Sequence, residues 1–469
     1  MRWGVDKSIF QVALAAFCLA LPAFYNGFPI LYPDSMTYLD DGHIVARALF
    51  LRNFSDYYGM RSLIYSLVIL PFHWNRTAWP IVAMQCCLTA YLIWLVFRSI
   101  VPRLTGNYYL GLILLLSLVT SVSWCSSLIL PDILGSLLYL ALYLLAFAKE
   151  TLSRLERWVL YFIVWWGVAS HASHLIVSSA LCLFLAVVLM LRRQPLRRVF
   201  RTSGEAAVVI GLAAASQLAL NIYLYGQPSL NGERPPFPMA RVIADGPGRW
   251  YLERNCKELN WSICNHVHSL TADPDNFLWA PDGIWQSATD DEQADMLSKE
   301  MPLVLTTLRA YPKAQLYRSS VNFWKQLITF GLDDLRPSSW LEDQFATVMP
   351  HALANYRRSR QARYSLSLRT FTTFQTWIVI ASLGIIAFLS VTVNRERSPE
   401  LASLGIVISF VVIINAAITG VLSMPEDRFQ TRVIWLVPLF AGLSVLSWLS
   451  NRHAADRSKT AHDDIATTV

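Results

Sequence analysis

Charge is what this chain has least of: of its 469 residues only 15% are Asp, Glu, Lys or Arg, against 54% hydrophobic ones, and the mean hydropathy is +0.39. A soluble domain carries roughly a quarter charged residues, so the composition excludes an ordinary water-soluble enzyme and points to an integral membrane protein. No block of Lys and Arg is interleaved with aromatics in the manner of a nucleic-acid groove, which removes nucleic acid as a partner despite a net charge of +7. The glycine-rich phosphate loops of P-loop and dinucleotide-binding proteins are missing too. So are internal repeats and low-complexity tracts.

Cysteine is scarce and unevenly placed. Among the seven, Cys18, Cys86, Cys87, Cys125 and Cys182 sit in or beside apolar runs, where a thiol acts as a small hydrophobe. Cys256 and Cys264 stand close together in the one long polar region, and they pair as a disulfide if that region faces an oxidising compartment. A zinc site drawing on His266 and His268 matches no standard ligand spacing. At the N-terminus, Arg2 and Lys7 precede an apolar run ending in Leu21-Pro22-Ala23, the outline of a cleavable signal. The many spans that follow favour an uncleaved first helix.

What the chain has in abundance is apolar runs near the roughly 20 residues that cross a bilayer. About ten occur, at 9–26, 79–97, 108–124, 133–148, 157–170, 173–191, 205–223, 370–392, 402–422 and 433–450. The expected fold is therefore mainly α, a polytopic membrane helical bundle with added interfacial helices. With the N-terminus inside, Arg98/Arg103, Lys149/Arg154/Arg157, the run from Arg192 to Arg201, Arg395/Arg397 and Arg452/Arg457/Lys459 all fall on the cytoplasmic side. That parity requires the short stretch from Met60 to Trp74, interrupted by Pro71, to be interfacial or re-entrant. The chain then divides into a transmembrane module at 1–225 with a first outer loop at 26–77, an extracytoplasmic insert at 226–368, C-terminal transmembrane helices at 369–451 and a cytoplasmic tail at 452–469. The insert reads as a small mixed domain followed by amphipathic helices. Its segment from Tyr317 to Phe330 lies in the membrane interface or packs against the domain.

The same parity gathers acids and histidines on the outer side. The first loop opens with Leu31-Tyr32-Pro33-Asp34-Ser35-Met36-Thr37-Tyr38-Leu39-Asp40-Asp41. Asp34 or Ser35 caps the helix that starts here, or Asp34 is a catalytic base; the company of Asp40, Asp41, Tyr57, Tyr58 and Arg61 favours the base. Asp40 and Asp41 by themselves fit a solvated face, and together with Tyr38 and Arg61 they are candidate substrate contacts. Near the other end, Ser423 and Glu426 have capping-box spacing around Pro425, which starts the last helix at the outer surface. Arg428 and Arg432 share one face of that helix, about 6 Å apart along its axis. Beside the positive end of the dipole they form a receptive place for a phosphate. Headgroup snorkelling is the alternative, and it explains Arg428 well and Arg432, one turn deeper, less well. His171 and His174 fit a phosphate, a sugar hydroxyl, half of a metal site or a satisfied hairpin turn. Asp132, after Leu130-Pro131, is a cap or a substrate contact.

The order of these features resembles the GT-C superfamily of glycosyltransferases, which includes protein O-mannosyltransferases and the transferase that adds aminoarabinose to lipid A. The resemblance rests on Asp34-Ser35-x-x-Tyr38 after the first span, Arg61-Ser62-Leu63-Ile64-Tyr65, Pro131-Asp132, His171/His174 and Arg428-Phe429. It implies a catalytic Asp in the first outer loop and a polyprenyl-phosphate sugar donor, with Asp34 as base and Arg428 as phosphate contact. Ser35 departs from the Asp-Glu or Asp-Asp pair of some members, so the choice among Asp34, Asp40 and Asp41 stays open. The insert matches no soluble domain of the family.

The expected function is an inverting glycosyltransferase on the outer face of a bacterial inner membrane, with membrane lipids, a lipid-linked sugar donor and a glycan, lipid or protein acceptor as partners. Arg432, His171 and His174 would assist Arg428. No cofactor is required by this reading, and a divalent metal is left open. The rivals are a surface-polysaccharide polymerase or ligase and a lipid-linked sugar transporter. A transporter calls for ionisable residues at the midplane and repeated halves, which the sequence does not offer.

Overall fold

The computed structural model describes residues 5–52, 61–226, 228–230, 234–392 and 399–466. Arg2, Tyr57, Tyr58, Met60, Arg395 and Arg397 lie outside them, as do the side chains of Arg457 and Lys459. Every regular element among the described residues is helical, and the one extended contact is a parallel bridge between Ile30 and Leu128. The N-terminal part comprises α1 (Val5–Leu19), α2 (Leu21–Asn26), α3 (Pro33–Leu51), α4 (Leu63–His73), α5 (Trp79–Ile100), α6 (Gly106–Val119), α7 (Val122–Ser127), α8 (Asp132–Phe147), α9 (Arg154–Ser170), α10 (Ala172–Leu191) and α11 (Leu196–Tyr225). The insert holds α12 (Phe237–Ala244), α13 (Pro247–Asn255), α14 (Pro274–Trp279), α15 (Ile284–Ser287), α16 (Asp290–Ala310), α17 (Pro312–Ile328), α18 (Ser339–Val348) and α19 (Leu353–Arg358). The chain ends with α20 (Leu368–Thr392), α21 (Pro399–Leu422), α22 (Asp427–Ile434) and α23 (Leu436–Ala466).

Local chemistry sets many of these boundaries. Ser153 starts α9 with a capping box, its Oγ accepting the Glu156 N–H at 3.2 Å while the Glu156 carboxylate accepts the Ser153 N–H at 2.7 Å. Gly226 ends α11 at φ +70°, a conformation that costs other residues dearly.

Six helices among the described residues are long and apolar enough to cross a membrane: α5, α10, α11, α20, α21 and the stretch Asp427–Arg452. The expected spans at 9–26, 108–124 and 133–148 are shorter apolar helices, and the one at 157–170 lies in α9, 17 residues long. Two of these runs break for visible reasons. Pro22 has no N–H to continue α1, which stops at Leu19. At the end of α6, Thr120 takes up extended backbone and its hydroxyl accepts the Val122 N–H at 3.4 Å, which starts the separate helix α7.

Contacts between helix ends sort the polar turns into two groups. Arg98 pairs with Glu156 at 2.9 Å, and Arg192 reaches Ser403 and the Pro399 carbonyl, so the arginine-rich turns gather at one end. At the other end Ser62 Oγ donates to the Ala169 carbonyl at 2.6 Å, Ile30 bridges Leu128 and Arg432 reaches Ser173. Within the stretch expected to be interfacial or re-entrant, the described residues form a short helix at this same end. This helix, α4, has only 11 residues, about 16 Å of rise, and α5 begins with Trp79 stacked on Phe24 beside the same end. Helix α4 runs alongside α3, where a Cβ on Gly42 would lie 2.9 Å from the Ser66 carbonyl oxygen. Only glycine permits that approach.

The insert differs from the mixed domain the sequence suggests, because its described residues form only helices and 3-10 turns. Prolines that read as loop markers occupy first helical turns instead, as at Pro247 and Pro274. Met239, Ile243, Leu252, Phe277, Trp285 and Met296 belong to a small core of its own, beside a disulfide between Cys256 and Cys264. From Leu332 to Leu368 the buried side chains join the large core of the bundle instead. Helix α17 packs against the insert, with Gln315 and Asn322 donating to Asp245 at 2.8 and 2.9 Å. Its buried side chains are the polar Gln315, Asn322 and Gln326, while Leu316, Trp324 and Ile328 face outward, the inverse of a soluble amphipathic helix and the pattern of one lying in a membrane interface.

Candidate functional site

The lead-in to α3 is held from two sides. The Ile30 N–H donates to the Ser127 carbonyl and the Ile129 N–H to the Ile30 carbonyl, both at 3.0 Å. Opposite, Gln361 accepts the Leu31 N–H at 3.0 Å and donates to the carbonyls of Leu31 at 2.7 Å and Leu335 at 2.8 Å. Ser35 then does the local work at the helix start, its Oγ accepting the Tyr32 N–H at 3.0 Å. Asp34 is left free for other use. With its side chain 14% exposed, it gives one oxygen to each of two arginines: Oδ1 lies 2.6 Å from Arg61 Nη2 and Oδ2 lies 3.1 Å from Arg428 Nη1. Burial alone would raise its pKa, but the two guanidinium groups outweigh burial and hold the carboxyl below its ordinary value. Asp34 is ionised at neutral pH.

Arg428 arrives from the far end of the chain, and not through a capping box at Ser423. Helix α21 runs to Leu422, and α22 begins at Asp427 with Glu426 at the N-cap position and no side-chain capping bond. The reason is tertiary. Gln326 brackets Glu426, accepting its N–H at 3.0 Å and donating to its carbonyl at 2.8 Å. Asp334 Oδ2 accepts the Arg428 N–H at 2.9 Å, and Asp427 Oδ1 accepts the Gly331 N–H at 2.6 Å. A carboxylate of the chain therefore already fills the positive end of α22, so any role for Arg428 toward a phosphate falls to its side chain. That guanidinium lies 4.3 Å over the Tyr32 ring, and its buried Nε–H has no acceptor among the described residues. Burial, only partly countered by Arg428, pushes the neighbouring Glu426 carboxyl up to about 7.

Arg432 does not share a phosphate site with Arg428. Its side chain is 0% exposed, with Nη1 3.6 Å from Asp132 Oδ1. Its Nη2 donates to Asn415 Oδ1 at 2.9 Å and Ser173 Oγ at 3.0 Å. One turn of helix carries it from the edge of the site into the bundle, and snorkelling is excluded by the same burial. Asp132 is accordingly the counter-ion of Arg432 at the first position of α8.

The two histidines also part company. His171 Nδ1 accepts the Ser173 N–H at 3.2 Å and contacts its Oγ at 2.8 Å, within electrostatic reach of Arg432, Arg428 and Arg61. His174 is buried, bonded through Nδ1 to the Gly167 carbonyl at 2.9 Å. Its Nε2 lies 2.8 Å from where a Cβ on Gly135 would be, which assigns it to packing. No group of three or more His, Cys, Asp or Glu side chains placed to hold a metal occurs among the described residues.

Tyr38 and Asp41 follow Asp34 by four and seven residues and share its face of α3. Tyr38 is buried edge-on against Tyr65, with ring centroids 4.8 Å apart. Asp41 is only 3% exposed, and its Oδ2 has no hydrogen-bond partner among the described residues. Burial first, and then Asp40, raise its pKa well above the usual range. The solvated pair expected from the sequence thus divides. Asp41 turns inward, while Asp40 stays half-buried on the flank facing His43 and Arg47.

Asp334, Gln326, Asn415, Ser173 and Tyr32 complete the arrangement and were not singled out from the sequence. Asn415 alone carried a signal, being an amide in the middle of an apolar run, where an unpartnered polar group is costly. No family model, curated protein or solved structure matches this chain.

Proposed function

We propose that the protein is an inverting glycosyltransferase of the GT-C type on the outer face of a bacterial inner membrane, moving a sugar from a polyprenyl-phosphate donor to an envelope glycan, lipid or protein. The observation that carries the reading is the carboxylate of Asp34 held between Arg61 and Arg428. It supplies a base and a cation for a leaving phosphate in one place, from residues 394 apart in sequence. The apolar helices around it suit a donor anchored by a long hydrocarbon chain.

Without donor, Arg428 is neutralised by Asp34. A donor phosphate competes for that guanidinium, whose Nε–H is unused. Once Arg428 engages the phosphate, Asp34 loses one of the two cations that depress its pKa and becomes a better base. The acceptor oxygen attacks the anomeric carbon from the face opposite the phosphate. The carbon–oxygen bond to phosphate breaks with its electron pair on the leaving polyprenyl phosphate, and the acceptor proton passes to Asp34. Arg428 stabilises the charge that grows on the leaving group. Arg61 keeps the carboxylate oriented, while Tyr38, Asp41 and His171 are assigned to sugar or acceptor hydroxyls. Arg432, Asp132 and His174 support the site from behind.

Proteoliposomes supplied with a radiolabelled polyprenyl-phosphate sugar and an envelope fraction test this, with and without Mg2+. Asp34→Asn is expected to lose transfer by about 100-fold or more. Transfer at the unaltered rate, with lost movement of the lipid-linked sugar between leaflets, would instead identify a transporter.

A further inference from the structure

A cavity of about 210 Å3 opens at the end of the bundle opposite Asp34, where α8 ends, α9 starts and α11 makes its first turns. The length of α8, about 24 Å, separates it from the Asp132–Arg432 pair. Lys149, Arg157, Arg198 and Arg201 line it, with Glu150 and Thr202. Glu205 lies just beneath, bonded to Lys149, to Arg201 Nε at 3.1 Å and to Tyr161 Oη at 2.6 Å. Four cations thus face two carboxylates, Glu150 and Glu205, and the cavity keeps a positive excess. Arg157 also has a buried Nε–H with no acceptor among the described residues.

The surroundings decide what anion fits. Leu145 and Ala146 form the apolar floor. On the outside, Leu155 and Trp158 of α9 and Leu196 and Phe200 of α11 are exposed, an apolar and aromatic rim of the kind found where a helix leaves the hydrocarbon. A free anion has no use for such a rim. A phosphate carried on hydrocarbon chains uses both features, because basic hollows between membrane helices hold anionic headgroups.

We propose that this hollow binds the headgroup phosphate of one anionic phospholipid, whose chains lie against the exposed apolar flank of α9 and α11. The lipid ties α8, α9 and α11 together at the end away from Asp34. The assignment does not depend on glycosyl transfer.

Native mass spectrometry of the full chain, released from detergent with phosphatidylglycerol or phosphatidylcholine, tests it together with thermal unfolding. One phosphatidylglycerol is expected to be retained and to raise the unfolding midpoint, with phosphatidylcholine weaker. Arg157→Gln with Arg198→Gln is expected to weaken binding on the order of thirtyfold, and Arg318→Gln, on an exposed stretch of the insert, to leave it unchanged. If the double variant does not fold, exposed Arg198→Gln alone is read for a loss of about fivefold. Equal retention of the two lipids, equal stabilisation by inorganic phosphate, or undiminished binding by the arginine variants would each overturn the proposal.

Discussion

Neutralising Asp132 by Asp132→Ala leaves the Arg432 guanidinium charged and buried with no anion opposite it. An exposed ion pair would lose about 0–1 kcal/mol by such a change. Here the two side chains are 0% and 5% exposed, so solvent screens neither, and breaking a buried pair costs roughly 3–5 kcal/mol. Asn415 and Ser173 still accept from Nη2, which places the expected loss at the lower end, about 3 kcal/mol. Arg432→Met is expected to cost at least as much, since it strands the Asp132 carboxylate and removes the donor to Asn415 and Ser173. In Asp132→Ala/Arg432→Met no unpaired charge remains, so the double variant is expected to be more stable than the sum of the single losses by about 2 kcal/mol or more. Equilibrium unfolding in mixed micelles, followed by tryptophan fluorescence, gives all four corners of the cycle. Single losses that add to within about 0.5 kcal/mol would show that these residues do not act as a pair, and the placement of Arg432 would be wrong.

The pH dependence of stability divides by sign. Asp34, with its pKa depressed, contributes fully above the ordinary carboxylate range and loses its contribution as pH falls through the lowered value. Glu426 is the reverse: its raised pKa favours the protonated folded form, so stability is lost as pH rises through about 7. Glu426→Gln is expected to flatten the unfolding midpoint across neutral pH while keeping the acid limb, and identical profiles would refute the assignment. Cys256→Ala with Cys264→Ala opens a crosslink between residues 8 apart in sequence and is expected to cost roughly 2–3 kcal/mol, seen as faster proteolysis of the insert; unchanged resistance would count against it. Gly42→Ala puts a Cβ against the Ser66 carbonyl, a backbone atom that cannot swing away, for an expected loss of about 1–3 kcal/mol. A thermal midpoint equal to the parent's would contradict the close approach of α3 and α4.

The contact of Asp34 with Arg428 was legible in the sequence because charge is expensive near hydrocarbon. An acid just after the first apolar run and an arginine at the start of the last one therefore each need a partner, and they supply it to each other. Cys256 and Cys264 were legible for the same kind of reason, as neighbours in the single polar region. The depth of Arg432 was not, since a spacing of four fixes a shared helix face and says nothing about how far each turn sinks into the bundle. Asp41 was misjudged because its inward turn depends on α4, which the local pattern of α3 does not contain. The start of α22 was misplaced because Asp334 and Gln326, nearly a hundred residues away, satisfy its first amides more completely than Ser423 could. Span breaks at Pro22 and Thr120 rest on one missing N–H and one extended residue, which a hydropathy window averages out.

Gln361 sits 330 residues from Leu31, yet its primary amide is the knot that fastens the segment before α20 to the approach of α3. A carboxylate of the same shape could not take its place, because Glu has no donor for the Leu31 and Leu335 carbonyls. The segment between α19 and α20 is thereby mechanically tied to Asp34: a ligand or antibody that levers the exposed residues flanking Gln361 would shift the aspartate without ever touching it.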